Sequence, residues 1–259
     1  MSSNSKAKGE SFRKIKSILI SQPKPERSPY YELEEKYGLQ IDWRQFIQVE
    51  PVTEKEFRKT RIRPDEYTAI IFTSKGSVDH FFRMCEEMRI KMPQDTKYFC
   101  LSEAIANYLQ KFIVYRKRKV FAGKRLIQDL KPSFMKHKEN EKFLLPCSNL
   151  GAKPVVDFLE KHEIEFQDAM MYRTVSADLS DLEDVTYDVL VFFSPLGIDS
   201  LYENFPEFKQ KGTRMAIYGN ATQKAVSEKG LRIDIPAPAP DTPSMTMALK
   251  KYLEISNKK

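Results

Sequence analysis

The chain of 259 residues is too long for one small core and suits two domains of about 100–150 residues each. Its hydrophobic (41%) and charged (31%) shares exclude wholesale disorder, and no apolar run approaches the roughly 20 residues of a membrane span. The formal net charge of +7 favours anionic partners and leaves nucleic acid, a membrane surface and a polycarboxylate small molecule all open.

Residues 1–15, the start of MSSNSKAKGESFRKIK, are basic and polar without an apolar core. They are expected to be a disordered tail and not a secretory signal. IKSILI at 15–20 reads as a buried strand, and the Pro- and Ser-rich SQPKPERSP ends it. Ser28 as N-cap and Pro29 at the first helical position then open a helix that stops at Gly38. An extended segment follows at 39–52, then a short charged helix at 54–61.

A strand at 67–72 leads through Thr73-Ser74-Lys75-Gly76-Ser77 into a helix that ends near 88. Next come a strand at 97–100, a helix at 102–110, a strand at 113–115 and a charged helical stretch at 123–136. The YRKRK run at 115–119 reads as a solvated strand end, with phosphate contact as the alternative. Then follow a strand at 143–145, a turn at 146–149, a helix at 153–162, an extended segment at 165–175 and the polar loop SADLSDLED. The chain closes with a strand at 189–193, helix 198–204, strand 215–218, helix 223–229, strand 232–235 and a helix from Ser244. Short apolar strands alternating with amphipathic helices predict α/β architecture, with parallel sheets covered on both faces.

The pattern is written twice. YTAIIFTSKGSVDHFF from Tyr67 and YDVLVFFSPLGIDSLY from Tyr187 align without a gap at an offset of 120 residues. SILISQP pairs likewise with FLLPCSN, and YFCLSEAIANYL with AIYGNATQKAV. Two similar α/β domains are therefore expected, at roughly 1–125 and 140–259.

Polar turns recur at the carboxyl ends of the predicted strands: Thr73-Ser74, Ser148-Asn149, Ser194 to Gly197 and Gly219 to Thr222. Ligands of open α/β sheets bind at that edge, where helix N-termini present unpaired amides to anions. Each turn taken singly is also an ordinary N-cap; the same kind of turn in both copies points to a cleft with donors on both walls. GxGxxG, Walker, GxSxG and HExxH patterns are absent. His80, His137 and His162 are isolated, the last two reading as surface positions, so no metal and no cofactor is expected. Cys85, Cys100 and Cys147, odd in number and without CxxC spacing, suit buried thiols in a reducing cytoplasm.

LLPCSN (144–149), MYRTV (171–175), FFSPLGI (192–198), IYGNATQKAVSEKGL (217–231) and TPSMTMAL (242–249) occur in an order and spacing that resembles the uroporphyrinogen-III synthase family. The resemblance implies a discontinuous first domain (16–46 plus 176–259), an inserted second domain (53–166) and two hinge strands (47–52 and 167–175), with a substrate cleft between the domains. It implies cyclisation of hydroxymethylbilane, with loss of water and inversion of the last pyrrole ring, by a cytoplasmic monomer of haem and tetrapyrrole biosynthesis. Its partner would be that polycarboxylate tetrapyrrole, with no nucleic acid and no membrane.

Thr73, Ser74, Ser102, Ser148, Asn149, Ser194, Gly197, Gly219, Thr222 and Ser244 become the implied substrate-binding positions. Tyr172 becomes the implied proton donor to the leaving hydroxyl, with a hinge-packing role as its alternative, because a phenol near pKa 10 is a weak acid unless its site helps it. Two positions depart from the family pattern. Leu101-Ser102-Glu103-Ala104-Ile105 replaces a Gly-x-x-Thr-Ala turn, and Gln22 stands where an Arg is common. These departures keep open a non-catalytic relative that binds an anionic ligand.

Overall fold

The structure, a computed structural model, describes residues 13–182 and 186–258. The expected tail lies outside the described residues as far as residue 12, and so does the end of the SADLSDLED loop at 183–184. The chain divides into two compact units, one running to Gln48 and resuming at Val175, the other Val49–Thr174.

Strand β1 (Ser17–Ile20) leads to α1 (Tyr30–Tyr37) and β2 (Gln40–Trp43). Ser28 Oγ accepts the Tyr30 amide at 3.3 Å, and Gly38 closes α1 in the left-handed region at φ 59°, the conformation for which glycine pays least. Ile15, where the expected tail and the expected buried strand overlap, is buried as the strand reading requires. Asn257 accepts its N–H at 2.9 Å and donates to its carbonyl at 2.8 Å. The segment at 39–52 contains two strands, β2 and β3 (Ile47–Pro51), which belong to different sheets.

One helical turn, α2 (Glu54–Phe57), precedes β4 (Ala69–Phe72), α3 (Lys75–Glu87), β5 (Lys97–Cys100), α4 (Glu103–Leu109) and β6 (Val120–Ala122). The strand expected at 113–115 is a loop, and pairing resumes only at β6. Val114 is 84% exposed, so its apolar character does not report a buried strand. The helical stretch expected from 123 begins later, as a 3-10 turn and then α5 (Lys131–His137). The Asp129 carboxylate accepts the amides of Lys124, Arg125 and Leu126, each at 3.0 Å, and holds that segment as a turn.

β7 (Phe143–Ser148) runs straight through the expected turn at Pro146. It is followed by α6 (Lys153–Lys161), β8 (Phe166–Ser176), β9 (Val189–Phe192) and α7 (Pro195–Asn204). The chain ends with β10 (Arg214–Tyr218), α8 (Asn220–Glu228), β11 (Ile235–Ala237) and α9 (Met245–Ser256). β11 lies at 235–237 and not at 232–235, as an edge strand carrying Pro236.

The sheet orders are β11-β10-β9-β1-β2 and β3-β8-β7-β4-β5-β6. Read from its other end, the second contains β6-β5-β4-β7-β8, the same arrangement position for position, and β4 and β9 keep the 120-residue offset. Every pairing among those strands is parallel. Strand periodicity feeds both faces. Ile70 and Phe72 of β4 pack under α3 and α4, while Ala69 and Ile71 pack under α5 and α6. In the other unit Val189 and Val191 of β9 meet α1 and α9, and Leu190 and Phe192 meet α7 and α8. Each buried Ile, Leu or Phe contributes about 1.5–3 kcal/mol, so the strands are held by side chains on both faces as well as by their ladders.

Candidate functional site

Parallel strands bring their carboxyl ends to one edge, and the sheet order dictates which turns are neighbours. In the Val49–Thr174 unit the sequence of positions is Tyr172 on β8, Ser148 on β7, Thr73-Ser74 beyond β4 and Ser102 beyond β5. Tyr172 stands directly across from Ser148, at a register shift in the β7–β8 ladder. In the other unit Ser244 follows β11, Gly219 follows β10, Ser194 follows β9, Ser21-Gln22 follows β1 and Arg44 follows β2.

Most of these serines are engaged as caps. Ser74 Oγ accepts the Ser77 amide at 3.0 Å, and Ser77 Oγ in turn accepts the Ser74 amide at 3.2 Å. Ser102, Ser194 and Ser244 accept from Ile105 (3.4 Å), Gly197 (3.3 Å) and Met247 (3.3 Å). Each cap is worth about 0.5–2 kcal/mol. Ser148 Oγ accepts the Leu150 amide at 3.3 Å but opens no helix, since α6 begins only at Lys153. Asn149 is bonded at both ends of its amide to the backbone of Thr174, at 2.8 and 3.1 Å, which fixes β8 next to Tyr172.

Gly197 is buried, and a Cβ there would lie 3.0 Å from Phe192 Cδ1, so a side chain would require the Phe192 ring to shift by a few tenths of an ångström. Thr222, in the first turn of α8, is on the buried face of that helix. Gly219 differs from the other turns. It adopts φ 87°, ψ 146° and leaves the nine-residue α8 without a side-chain cap, so the first amides of α8 are the uncapped donors of that edge. Thr73 is half-buried beside Ser74.

Two groups that sequence reasoning did not connect stand at these edges. The His80 ring on α3 stacks on the Tyr172 ring with centroids 4.5 Å apart and planes 16° off parallel. Its Nδ1 is buried without a hydrogen-bond partner among the described residues. Burial, then the Arg83 charge, hold its pKa below the usual histidine value against the opposing pull of Asp79, so the ring is neutral near pH 7. Arg83, three residues on, donates from Nη2 to the carbonyls of Val52 (2.9 Å) and Met171 (3.1 Å). Arg44, one strand over from Gln22, bonds its backbone amide to Ile20 at 3.0 Å and pairs its guanidinium with Asp181. A cation therefore stands at the sheet edge next to the position where Gln22 lacks one.

The remaining histidines are half-buried against rings rather than on the surface: His137 beside Phe121 at 5.1 Å and His162 beside Phe158 at 4.4 Å. Cys85, Cys100 and Cys147 are free, buried thiols, pushed up by burial to about 12, about 12 and about 11. No cluster of three or more His, Cys, Asp or Glu side chains suited to a metal occurs among the described residues. No helix among them is long and apolar enough to cross a membrane.

The family model for uroporphyrinogen-III synthase HemD matches residues 28–247. The chain belongs to the uroporphyrinogen-III synthase family. Its members are cyclising lyases of haem and tetrapyrrole biosynthesis, and this chain is an enzyme of that class. The uroporphyrinogen-III synthase of Chlorobaculum parvum is 22% identical over 255 residues, covering 93% of this chain and all of the relative. Among solved structures, the Helicobacter pylori uroporphyrinogen-III synthetase is similar with a TM-score of 0.57 at 18% identity, over 93% of this chain and 100% of that one. A mutant uroporphyrinogen III synthase from Thermus thermophilus gives 0.55 at 14% identity, over 93% and 99%. At such identities these likenesses speak to the α/β fold, while the family match covers all of the strand-end turns except the Ser21-Gln22 turn after β1.

Proposed function

We propose that the chain is a uroporphyrinogen-III synthase that cyclises hydroxymethylbilane to uroporphyrinogen III, losing water and inverting the last pyrrole ring. The observation that carries this reading is the family match over residues 28–247, on a chain whose two parallel sheets each end in a row of helix-start amides and hydroxyls. Such rows suit a polycarboxylate, and Arg44 adds a cation at the place where Gln22 departs from the family pattern. In this reading the donor edges of both units share the substrate's carboxylates, and residues 47–52 and 167–175 act as hinge strands.

The chemistry asks little covalent work of the protein. Tyr172 donates a proton to the departing hydroxyl, which leaves as water. The azafulvenium cation that remains is attacked by the far ring, the spiro intermediate rearranges, and the proton released as the inverted ring regains aromaticity restores the Tyr172 hydroxyl. Most of the acceleration comes from folding the chain so that inverted closure outpaces spontaneous head-to-tail closure. We take the enzyme to act as a cytoplasmic monomer without metal or cofactor.

The test couples the purified protein to a hydroxymethylbilane-generating enzyme and resolves uroporphyrin isomers I and III by chromatography. Isomer III in large excess over the enzyme-free control is the expected result. Isomer I alone, from folded protein, would favour the second reading, a non-catalytic relative that binds an anionic ligand. That alternative draws on the 101–105 turn, where Glu103 sits exposed in the first turn of α4.

A further inference from the structure

A cavity of about 600 Å³ opens in the Val49–Thr174 unit between the C-terminal half of α3, the loop into β5 and the loop from α4 to β6. It lies at the amino ends of β5 and β6, away from the carboxyl edge that carries Ser74, Ser102 and Ser148. Its size is that of a small-molecule site. The walls are apolar and flat: Phe82 and Phe112 stack at 4.7 Å with planes 6° apart, and Ile90, Met92, Ile113 and Tyr98 complete them. The rim leaves Phe112 39% and Val114 84% exposed, apolar surface that an occupant would remove from water.

Two polar atoms of the lining, Arg83 Nε and the Oγ1 of Thr96, a residue only 2% exposed, are buried and lack a well-formed hydrogen bond among the described residues. The Tyr98 hydroxyl lies close enough to interact with that of Thr96, which leaves Arg83 Nε as the donor in need of an acceptor. Buried donors left unpaired cost free energy that an acceptor on a ligand would recover. The lining cations are Arg83, Lys91, Arg116 and Lys119, against Asp79 and Glu86. Lys119 is already held by Asp95 at 2.6 Å, and Asp79 accepts the Tyr108 hydroxyl at 2.8 Å. Lys91 and Arg116 form no salt bridge among the described residues.

We propose that this cavity is a second ligand site, taking a planar aromatic anion. The ring lies along the Phe82–Phe112 stack, an acceptor meets Arg83 Nε and Thr96 Oγ1, and the charge faces Lys91 and Arg116. Arg83 also donates to the Met171 carbonyl beside Tyr172, so it links the cavity to the strand that carries the proposed proton donor. The site itself stands whether or not the synthase reading does.

The probe is 1-anilinonaphthalene-8-sulfonate, with uncharged N-phenyl-1-naphthylamine as its control, titrated by fluorescence into the full chain. Saturable binding of one sulfonate probe per chain is expected, at least tenfold weaker in Ile113→Trp, which fills the cavity. It is also expected to be several-fold weaker in Thr96→Val, which removes the hydroxyl at nearly constant shape; this second variant decides the matter if Ile113→Trp fails to unfold cooperatively. Unchanged sulfonate binding in the folded variants, or no saturable binding to the parent chain, would overturn the site. Equal affinity for the uncharged probe would overturn its preference for anions.

Discussion

Tyr172→Phe separates proton donation from packing because the change deletes one oxygen and keeps the ring. The Tyr172 hydroxyl makes no hydrogen bond to another described residue, while its ring rests on His80 at 4.5 Å. Loss of an unbonded, part-exposed hydroxyl should alter stability by no more than about 0.5 kcal/mol, or about 1–2 °C in Tm for a chain of this size. Loss of a positioned general acid lowers a rate by about 10²–10⁴-fold. The low end applies here, since the conformational part of the catalysis is untouched.

The assay is the coupled isomer assay, run under initial-rate conditions beside a thermal melt. A variant that retains its Tm and forms isomer III about 10²-fold more slowly fits the donor role. A rate within threefold of the parent would refute it and leave Tyr172 as a packing residue. A double-mutant cycle of His80→Ala with Tyr172→Ala measures the stack itself. The expected coupling is about 0.5–1.5 kcal/mol, or about 1–6 °C.

Arg44→Ala should raise KM by about 3–10-fold, less than a full charged hydrogen bond would give, because solvent screens a part-exposed group. Asp181→Asn, which releases Arg44 from its partner, should lower KM, and shifts of the same sign in both variants would exclude a substrate role. Gly219→Ala should destabilise by about 1–3 kcal/mol in urea unfolding; an added Cβ meets nothing within 4 Å, so the loss is backbone strain alone, and an unchanged midpoint would refute it. His80 has a folded-state pKa below its unfolded value. Its contribution is therefore fully present above about pH 6.5 and is lost as pH falls from there towards the folded pKa; His80→Phe should flatten that part of the stability profile. The three thiols, raised to about 11–12 by burial, should resist a disulfide-exchange reagent in native protein and all react on unfolding.

The strands that could be read directly were those buried on both faces. β4, β5 and β9 are short apolar runs closed by a Ser-bearing turn, so both their extent and the helix that follows were written locally. Proline and edge position defeated the same reading elsewhere. Pro146 looked like a turn, but β7 pairs with β4 only as far as Leu144. Beyond that point β7 has a partner on one side alone, where a missing N–H is tolerated. β11 carries Pro236 for a related reason, as the outermost strand of its sheet. Ile113 and Val114 line a cavity, a use of apolar side chains that periodicity cannot distinguish from a strand. Side-chain meetings across the chain were beyond any local pattern: His80 and Tyr172 are neighbours only because α3 packs over β8, and Asn149 and Thr174 only because β7 and β8 are adjacent.

The same geometry sorts the strand-end turns into two kinds. At α3, α4, α7 and α9 a serine already accepts one of the first amides, and at α4 Glu103 also brings a carboxylate to the positive end of the helix. An external carboxylate arriving there would compete with groups the chain itself supplies. At α8 the cap is Gly219, which has no side chain to offer, and its φ of 87° is one that other residues adopt only under strain. A position that gives up a side-chain cap, at a cost of about a few tenths of a kcal/mol, and requires glycine to do so gains nothing in stability from the choice. It is well explained if the missing acceptor is delivered by the substrate. On that argument we propose the α8 turn, with Arg44 three strands away in the same sheet, as the principal anion site of its unit, and the altered 101–105 turn as the place where substrate contact can be lost at least cost to turnover.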